Sequence, residues 1–394
     1  MLSKEKSKPT LSILIYSLAG GGAERVVSIL LQELKDKYDI TLVLMRDKID
    51  YEIPQSIKIH FLENSQPDEH GILKLLKLPV LGWKYKKFCQ ENNIEVSLAF
   101  MNRPSYVSIF AKLFGNKAFT TISERTTPSM MYRADNLVSK ISKYLIKKLY
   151  PKADFIVCNA EGNRQDLTEN FGIPLALTST IHNPFDLAKI EKLSEEPVEG
   201  IDFNKFTFVS VGRLDTGKNH TMMIDAFAKI ENKNVQLIIL GEGGLKVTLE
   251  EQIRFLNLEK RVFLLGFDSN PYKYFSKSDC FVFSSSYEGF PNVLVEALAC
   301  ALPIISTDCK SGPREILAPS SKIAFQLKDK NEVAEYGILI PINNTNKLKE
   351  MMNLMLKDIE LRENYRQRAK KRAKSFDKAL IVDAYIDVLE RSRL

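Results

Sequence analysis

Glu288 and Glu296 stand in the run Glu288-Gly-Phe-Pro-Asn-Val-Leu-Val-Glu296. Pro291 suits the first position of a helix, where its missing N–H costs nothing, so Glu288 falls in the preceding loop and Glu296 inside the helix. Five residues past Pro291, Glu296 lies about 7.5 Å along the axis. Two carboxylates so placed can grip different parts of one extended ligand, Glu296 accepting from ribose hydroxyls and Glu288 close to a sugar. Phe290 sits beside Pro291, and the amides of Asn292 and Val293 open the helix as a seat for an anion. The competing reading of Glu296 is an exposed helical glutamate. The apolar Ala297, Leu298, Ala299 and Cys300 that follow weaken it, since a carboxylate in apolar surroundings needs partners.

Two cations come from a second run, Gly212-Arg213-Leu-Asp-Thr-Gly-Lys218-Asn219-His220, which follows the apolar strand pattern Phe206–Val211. Arg213 and Lys218 at a strand's carboxyl end could neutralise a diphosphate, Arg with a bidentate fork and Lys as a point charge. A solvated basic loop is the plain alternative. Near the start, Gly20-Gly21-Gly22-Ala-Glu-Arg25 places three glycines between a strand and a helix. Backbone at Gly21 and Gly22 can approach a ligand closely there, with an anion or diphosphate as the expected guest. A tight turn explains the same glycines, because the spacing is not Gly-x-Gly-x-x-Gly and no acidic residue closes the next strand.

These residues need parallel sheets to hold them. Short β-branched or aromatic runs at Leu11–Ser17, Ile40–Met45, Ile57–Glu63, Val96–Phe100, Phe119–Ser123, Asp154–Cys158 and Leu177–His182 alternate with helical patterns, among them Ala23–Lys35, Ile72–Gln90, Ser105–Phe114, Leu137–Leu149 and Glu161–Phe171. Leu193–Asn204 is polar, acidic and interrupted by Pro197 and Gly200, as linkers are. The rhythm restarts with strands at Phe206–Val211, Val235–Leu240, Arg261–Leu265, Cys280–Ser284 and Pro303–Ser306, and helices opening near Asn219, Leu245, Asn270, Pro291 and Pro313. The expected fold is α/β: two doubly wound, Rossmann-like parallel-sheet domains facing a cleft, each binding at the carboxyl ends of its strands. Residues 1–192 form the first domain and 203–375 the second. The tail, helical over Asn346–Arg372 and Lys378–Leu389, ends in a helix within 376–394 that packs back across the domains.

The 394 residues, 44% hydrophobic and 27% charged, are ordinary globular material. They exclude a small disulfide or metal scaffold. Five widely spaced cysteines without a Cys-x-x-Cys pair or a histidine cluster suggest neither disulfides nor a metal site and fit a cytoplasmic protein. Lys4, Lys6 and Lys8 ahead of Leu11–Ala19 imitate a secretory signal, but two serines and a tyrosine dilute the apolar stretch. No run reaches the roughly 18 apolar residues of a membrane span. The net charge of +7 conceals an asymmetry, because residues 66–152 carry fifteen Lys or Arg against six Asp or Glu.

Taken with Leu240-Gly241-Glu-Gly243, Gly266-Phe267 and Leu302-Pro303, these motifs resemble the retaining GT-B glycosyltransferases of family four through nearly the whole chain. The resemblance implies an acceptor-binding first domain and a second domain holding a nucleotide sugar without a metal. It further implies that Arg213 and Lys218 bind the donor diphosphate, that Glu296 holds the ribose, that Gly241, Gly266 and Phe267 line the base, and that Glu288 touches the transferring sugar. Many members carry Ser-Glu-His after the fifth strand. Here the run is Ser123-Glu124-Arg125, so the histidine is missing and only Glu124 carries over, as a polar contact.

Further stretches, including Asn102-Arg-Pro104, Thr126-Thr-Pro128 and Asn270-Pro-Tyr-Lys-Tyr274, are similar to the branch that assembles lipid-linked oligosaccharides for protein N-glycosylation. That likeness implies transfer of GalNAc from UDP-GalNAc, a UDP-sugar donor, to a polyprenyl-diphosphate-linked glycan acceptor, here GalNAc-diacetylbacillosamine on undecaprenyl diphosphate. A lipopolysaccharide or capsule transferase with another UDP-sugar, and a non-catalytic sugar- or lipid-binding partner, are the alternatives. Residues 73–88 mix leucines with five lysines and the only Trp, and 137–152 repeat the mixture. Such segments suit peripheral attachment to the anionic cytoplasmic face of the inner membrane, although a solvated helix with a core-facing leucine stripe would read alike. Nucleic acid is not expected, because the basic stretches are leucine-rich instead of interleaved with aromatics.

Overall fold

The computed structural model describes residues 8–65, 69, 71–134 and 136–393. The chain divides into two compact units, Met1–Pro184 with Lys378–Leu394, and Phe185–Asp377.

In the first unit the described residues form a seven-stranded parallel sheet from β1 (Thr10–Ile15), β2 (Asp39–Leu44), β3 (Lys58–Phe61), β4 (Val96–Phe100), β5 (Phe119–Glu124), β6 (Phe155–Cys158) and β7 (Thr178–Thr180). Their order is β3-β2-β1-β4-β5-β6-β7. The apolar run that imitated a signal sequence is therefore β1, paired on both sides. Alternation along it feeds two cores. Leu11, Ile13 and Ile15 face the helix Gly22–Leu34 and, from the far end of the sequence, Ile381, Tyr385 and Leu389 of Lys378–Leu389. Leu14 faces the helices Leu78–Glu91 and Asn102–Leu113.

The single helix expected over 72–90 is two, Gly71–Leu76 and Leu78–Glu91. The break comes at Lys77. Pro79 occupies the first turn of the second helix, where it is tolerated, and Gly82 lets that helix approach its neighbour: a Cβ there would lie 2.4 Å from Phe110 Cβ.

The second unit has seven strands among the described residues, β8 (Phe206–Val211), β9 (Val235–Leu240), β10 (Val262–Gly266), β11 (Cys280–Phe283), β12 (Ile304–Thr307), β13 (Glu332–Val333) and β14 (Ile338–Ile340), in the order β10-β9-β8-β11-β12-β14-β13. Sequence patterning missed the last two, of which only β13 runs antiparallel. A helix it also missed, Leu187–Ser194, belongs to this unit, so the boundary falls at Pro184/Phe185 and not at 192. The acidic linker is tied down here as well, with Asn270 Nδ2 donating to the Leu193 carbonyl and to Glu196. The helix expected over Asn346–Arg372 is interrupted at Asp358, which caps the second half, Ile359–Ala373, by accepting from the Leu361 amide.

Candidate functional site

Each sheet reverses its strand order beside its first strand, between β1 and β4 and between β8 and β11. Loops diverge at such a point and leave a crevice at the strands' carboxyl ends, where doubly wound folds bind ligands.

At the second switch, the loop after β8 carries Arg213 and Lys218 and the loop after β11 carries Glu288. Asp215 folds the first loop, its Oδ1 accepting from the amides of Gly217 and Lys218. The two loops are stitched together: the Ser286 amide donates to the Gly217 carbonyl, and Ser284 Oγ donates to that of Lys218. Lys218 Nζ thereby meets Glu288 Oε1 at 2.5 Å, above the ring of Phe283. Arg213 stands apart, its side chain 82% exposed and its Nε 3.4 Å from Asp215 Oδ2.

Beside this pair the backbones of β8, β9 and β10 close up. Gly241, at φ +147°, donates its amide to the Gly266 carbonyl, and a Cβ on it would sit 2.0 Å from the Gly212 carbonyl oxygen. Only glycine fits there. The next residue after Gly266, Phe267, is 78% exposed.

Glu296 lies inside the helix Asn292–Ala299, 2% exposed, with Tyr272 Oη donating to its Oε1 at 3.4 Å. Phe290 is buried, its ring 5.6 Å from that of Phe376. Packing thus takes its side chain into the protein, while its backbone lies under Gly312, whose added Cβ would meet Phe290 Cα at 3.2 Å and Pro291 Cδ at 2.2 Å. Ser311 Oγ donates to the Gly289 carbonyl. The segment after β12 therefore shapes the loop that carries Glu288 and the helix start at Asn292 and Val293. It is held by Arg314, which is buried and forms a two-bond fork to Asp308, with Nη2 also reaching Glu332. Sequence reading did not single out Tyr272, Ser311 or this clamp, because each acts through pairing between distant segments.

In the first unit the glycine turn differs from its expected use. Gly21 caps the helix Gly22–Leu34, and Glu24, three residues on, folds back so that an added Gly21 Cβ would lie 2.3 Å from its Oε2. This is the spacing of a capping box, with a glutamate serving the helix N-terminus. The seat assigned to an external anion at Gly21 and Gly22 is filled by the chain's own carboxylate. That spacing was the sequence signal for Glu24, and it went unread beside the glycines. Burial pushes the Glu24 carboxyl up, while its own backbone amide and the charge of Arg125 pull it down.

Glu124, at the end of β5, is 1% exposed. Its Oε2 accepts from Tyr150 Oη at 2.8 Å and Asn102 Nδ2 at 3.2 Å, and its Oε1 accepts from the amides of Arg125 and Thr126 and from Thr126 Oγ1. Both oxygens are engaged in fixing the loop. Arg125 is also buried, donating to Ser123, to Asn183 Oδ1 and, at 3.3 Å, to Tyr385 Oη, with its guanidinium over Phe100.

No group of His, Cys, Asp and Glu among the described residues could hold a metal ion, and none of their helices is long and apolar enough to cross a membrane.

Residues 20–189 match the family model for Glycosyltransferase Family 4, and residues 191–372 that for Glycosyl transferases group 1. The N-acetylgalactosamine-N,N'-diacetylbacillosaminyl-diphospho-undecaprenol 4-alpha-N-acetylgalactosaminyltransferase of Campylobacter jejuni is 46% identical over 371 residues, 94% of this chain and 96% of that protein. An uncharacterized glycosyltransferase of Methanocaldococcus jannaschii is 35% identical, covering 72% of this chain and 76% of its own. Among solved structures, HepE of Anabaena in complex with UDP superposes with a TM-score of 0.76 at 20% identity, over 97% of this chain and 100% of that one.

Proposed function

From the premise that the chain belongs to the family-4 glycosyltransferases of GT-B fold, we propose that it moves GalNAc from UDP-GalNAc to the 4-hydroxyl of an undecaprenyl-diphosphate-linked GalNAc-diacetylbacillosamine acceptor. The observation that carries this reading is the second switch point, where Lys218 and Glu288 pair ahead of the helix that starts at Asn292, in a chain 46% identical to a transferase of that name. The acceptor oxygen bonds to the anomeric carbon as the bond to the UDP oxygen breaks on the same face, and the hydroxyl proton leaves with the diphosphate. Arg213, Lys218 and the amides of Asn292 and Val293 stabilise that departing charge, and Glu288 orients the sugar. Glu296 holds the ribose. Gly241, Gly266 and Phe267 take the base. Because these cations and amides can balance the diphosphate, the reaction proceeds without a metal.

A lipid-linked acceptor places the enzyme at the cytoplasmic face of the inner membrane. Support comes from the exposed Leu76, Trp83, Leu137 and Tyr144. Gly71 lies against Val138, so the segments 71–91 and 137–149 are neighbours. At about 1 kcal/mol per lysine near an anionic surface, their lysines give a weak, salt-sensitive attachment. Flotation with anionic liposomes at low and high salt tests it; protein remaining unbound in both rules it out.

Incubation with the acceptor and each UDP-sugar in turn, followed by mass spectrometry, tests the reaction. One added HexNAc from UDP-GalNAc is expected. Transfer of a different sugar redirects the protein to lipopolysaccharide or capsule assembly, and acceptor binding with no release of UDP makes it a binding partner.

A further inference from the structure

Lys218 and Glu288 are carried by two loops, those after β8 and β11, and they pair only if the loops are correctly spaced. A third loop reaches both. Three residues past β14, Asn343 Oδ1 accepts from Asn219 Nδ2 at 3.0 Å and from Ser286 Oγ at 3.2 Å. Asn219 is the residue after Lys218, and Ser286 stands two before Glu288. One amide oxygen, with its two lone pairs, therefore joins the lysine loop to the glutamate loop.

The joint is anchored from both sides. β14 is buried along its length and pairs with β12, while Asn344 caps the helix Thr345–Lys357 by accepting from the Lys347 amide. Leu348 and Met352 of that helix share a core with Met223 and Phe227 of the helix His220–Ala228, which Asn219 itself caps through the Met222 amide. Asn219 and Asn343 both hold left-handed backbone, at φ +52° and +53°. Asparagine adopts that conformation more readily than most residues that carry a side chain. The side chain of Asn343 lies at the surface, so it can be replaced without opening the core.

Resting on the transferase reading above, we propose that Asn343 is a positioning residue for the donor: it holds the loops of Lys218 and Glu288 at the spacing at which they receive the diphosphate and sugar of UDP-GalNAc. It acts through Asn219 and Ser286 and touches no substrate.

The test is Asn343→Gly, because glycine keeps the left-handed backbone without strain and removes the acceptor oxygen. Melting at the wild-type temperature confirms an intact protein. The expected result is kcat/KM for UDP-GalNAc lowered roughly tenfold, as for loss of two neutral hydrogen bonds, with UDP bound more weakly in calorimetric titration and acceptor KM unchanged. Ser286→Ala alone lowers donor kcat/KM about threefold. In the Asn343→Gly background it costs nothing further, because its partner is already gone. Additive losses from the two changes, wild-type donor kinetics in both, or equal losses toward donor and acceptor overturn the assignment while leaving the transferase reading intact. Should Asn343→Gly melt early, Ser286→Ala decides alone: a loss confined to the donor upholds the assignment, and wild-type kinetics overturn it. A wild-type protein that transfers no sugar overturns both.

Discussion

Lys218 Nζ and Glu288 Oε1, 2.5 Å apart, neutralise each other across the strand-order switch of the second sheet. In the proposed reaction a donor diphosphate has to draw this lysine away from its partner, because the two side chains are paired in the resting enzyme. Lys218→Ala is expected to lower kcat/KM by about 2–4 kcal/mol, or roughly 10²- to 10³-fold, by removing charge stabilisation from the leaving group. Adding Glu288→Gln to it costs less than the sum of the single losses, since the partners share one interaction. A double-mutant cycle on UDP release checks this, and strict additivity contradicts it.

Glu296 affects binding more than chemistry. Its carboxylate is buried beside Tyr272, and in the proposed reaction it holds the ribose, away from the bond that breaks. Glu296→Gln should weaken UDP binding roughly ten- to a hundredfold, the worth of a hydrogen bond to a charged group, as read by calorimetric titration.

Gly241 offers a test of the backbone. A Cβ would meet the Gly212 carbonyl at 2.0 Å in a left-handed conformation. Gly241→Ala is therefore expected to destabilise the second unit by about 2–4 kcal/mol. Gly244→Ala, with nothing within 4 Å of the added atom, serves as the neutral control in the same denaturant titration.

His220 makes stability depend on pH. Burial, reinforced by the charge of Lys218 and opposed by Asp215, lowers its pKa from 6.5 to about 4. The folded state thus binds its proton more weakly than the unfolded state does. Stability is complete above pH 6.5 and is lost as pH falls toward 4, by about 3 kcal/mol in all. His220→Gln flattens that part of the profile; an unchanged slope refutes the assignment.

Much of the architecture was written in local pattern. The twelve strands expected from apolar runs all exist within a few residues, and all but the three-residue β7 have at least four residues on which to show a pattern. The two-residue β13 and three-residue β14 do not, and they are defined only by pairing. For the site, Lys218, Glu288 and Gly241 were legible since strand-end loops hold them. What the sequence concealed was direction: that Phe290 turns inward to Phe376, that Glu124 spends both oxygens on its own loop, and that Glu24 fills the glycine turn. Tyr385 was beyond reach, because its contact with Arg125 spans 260 residues.

The two units differ in how synthesis completes them. Phe185–Asp377 is one continuous stretch, whereas the first unit needs Lys378–Leu389 to cover β1 and the helix beside it. Its first 184 residues leave the ribosome early and wait with an apolar face uncovered. At about 5–20 residues per second, the intervening stretch imposes a delay of roughly 10–40 s. Phe185–Asp377 can fold during that interval, and the first unit cannot finish until it ends, which leaves the nascent chain open to aggregation and makes any truncation ahead of Lys378 a lesion of the unit encoded first.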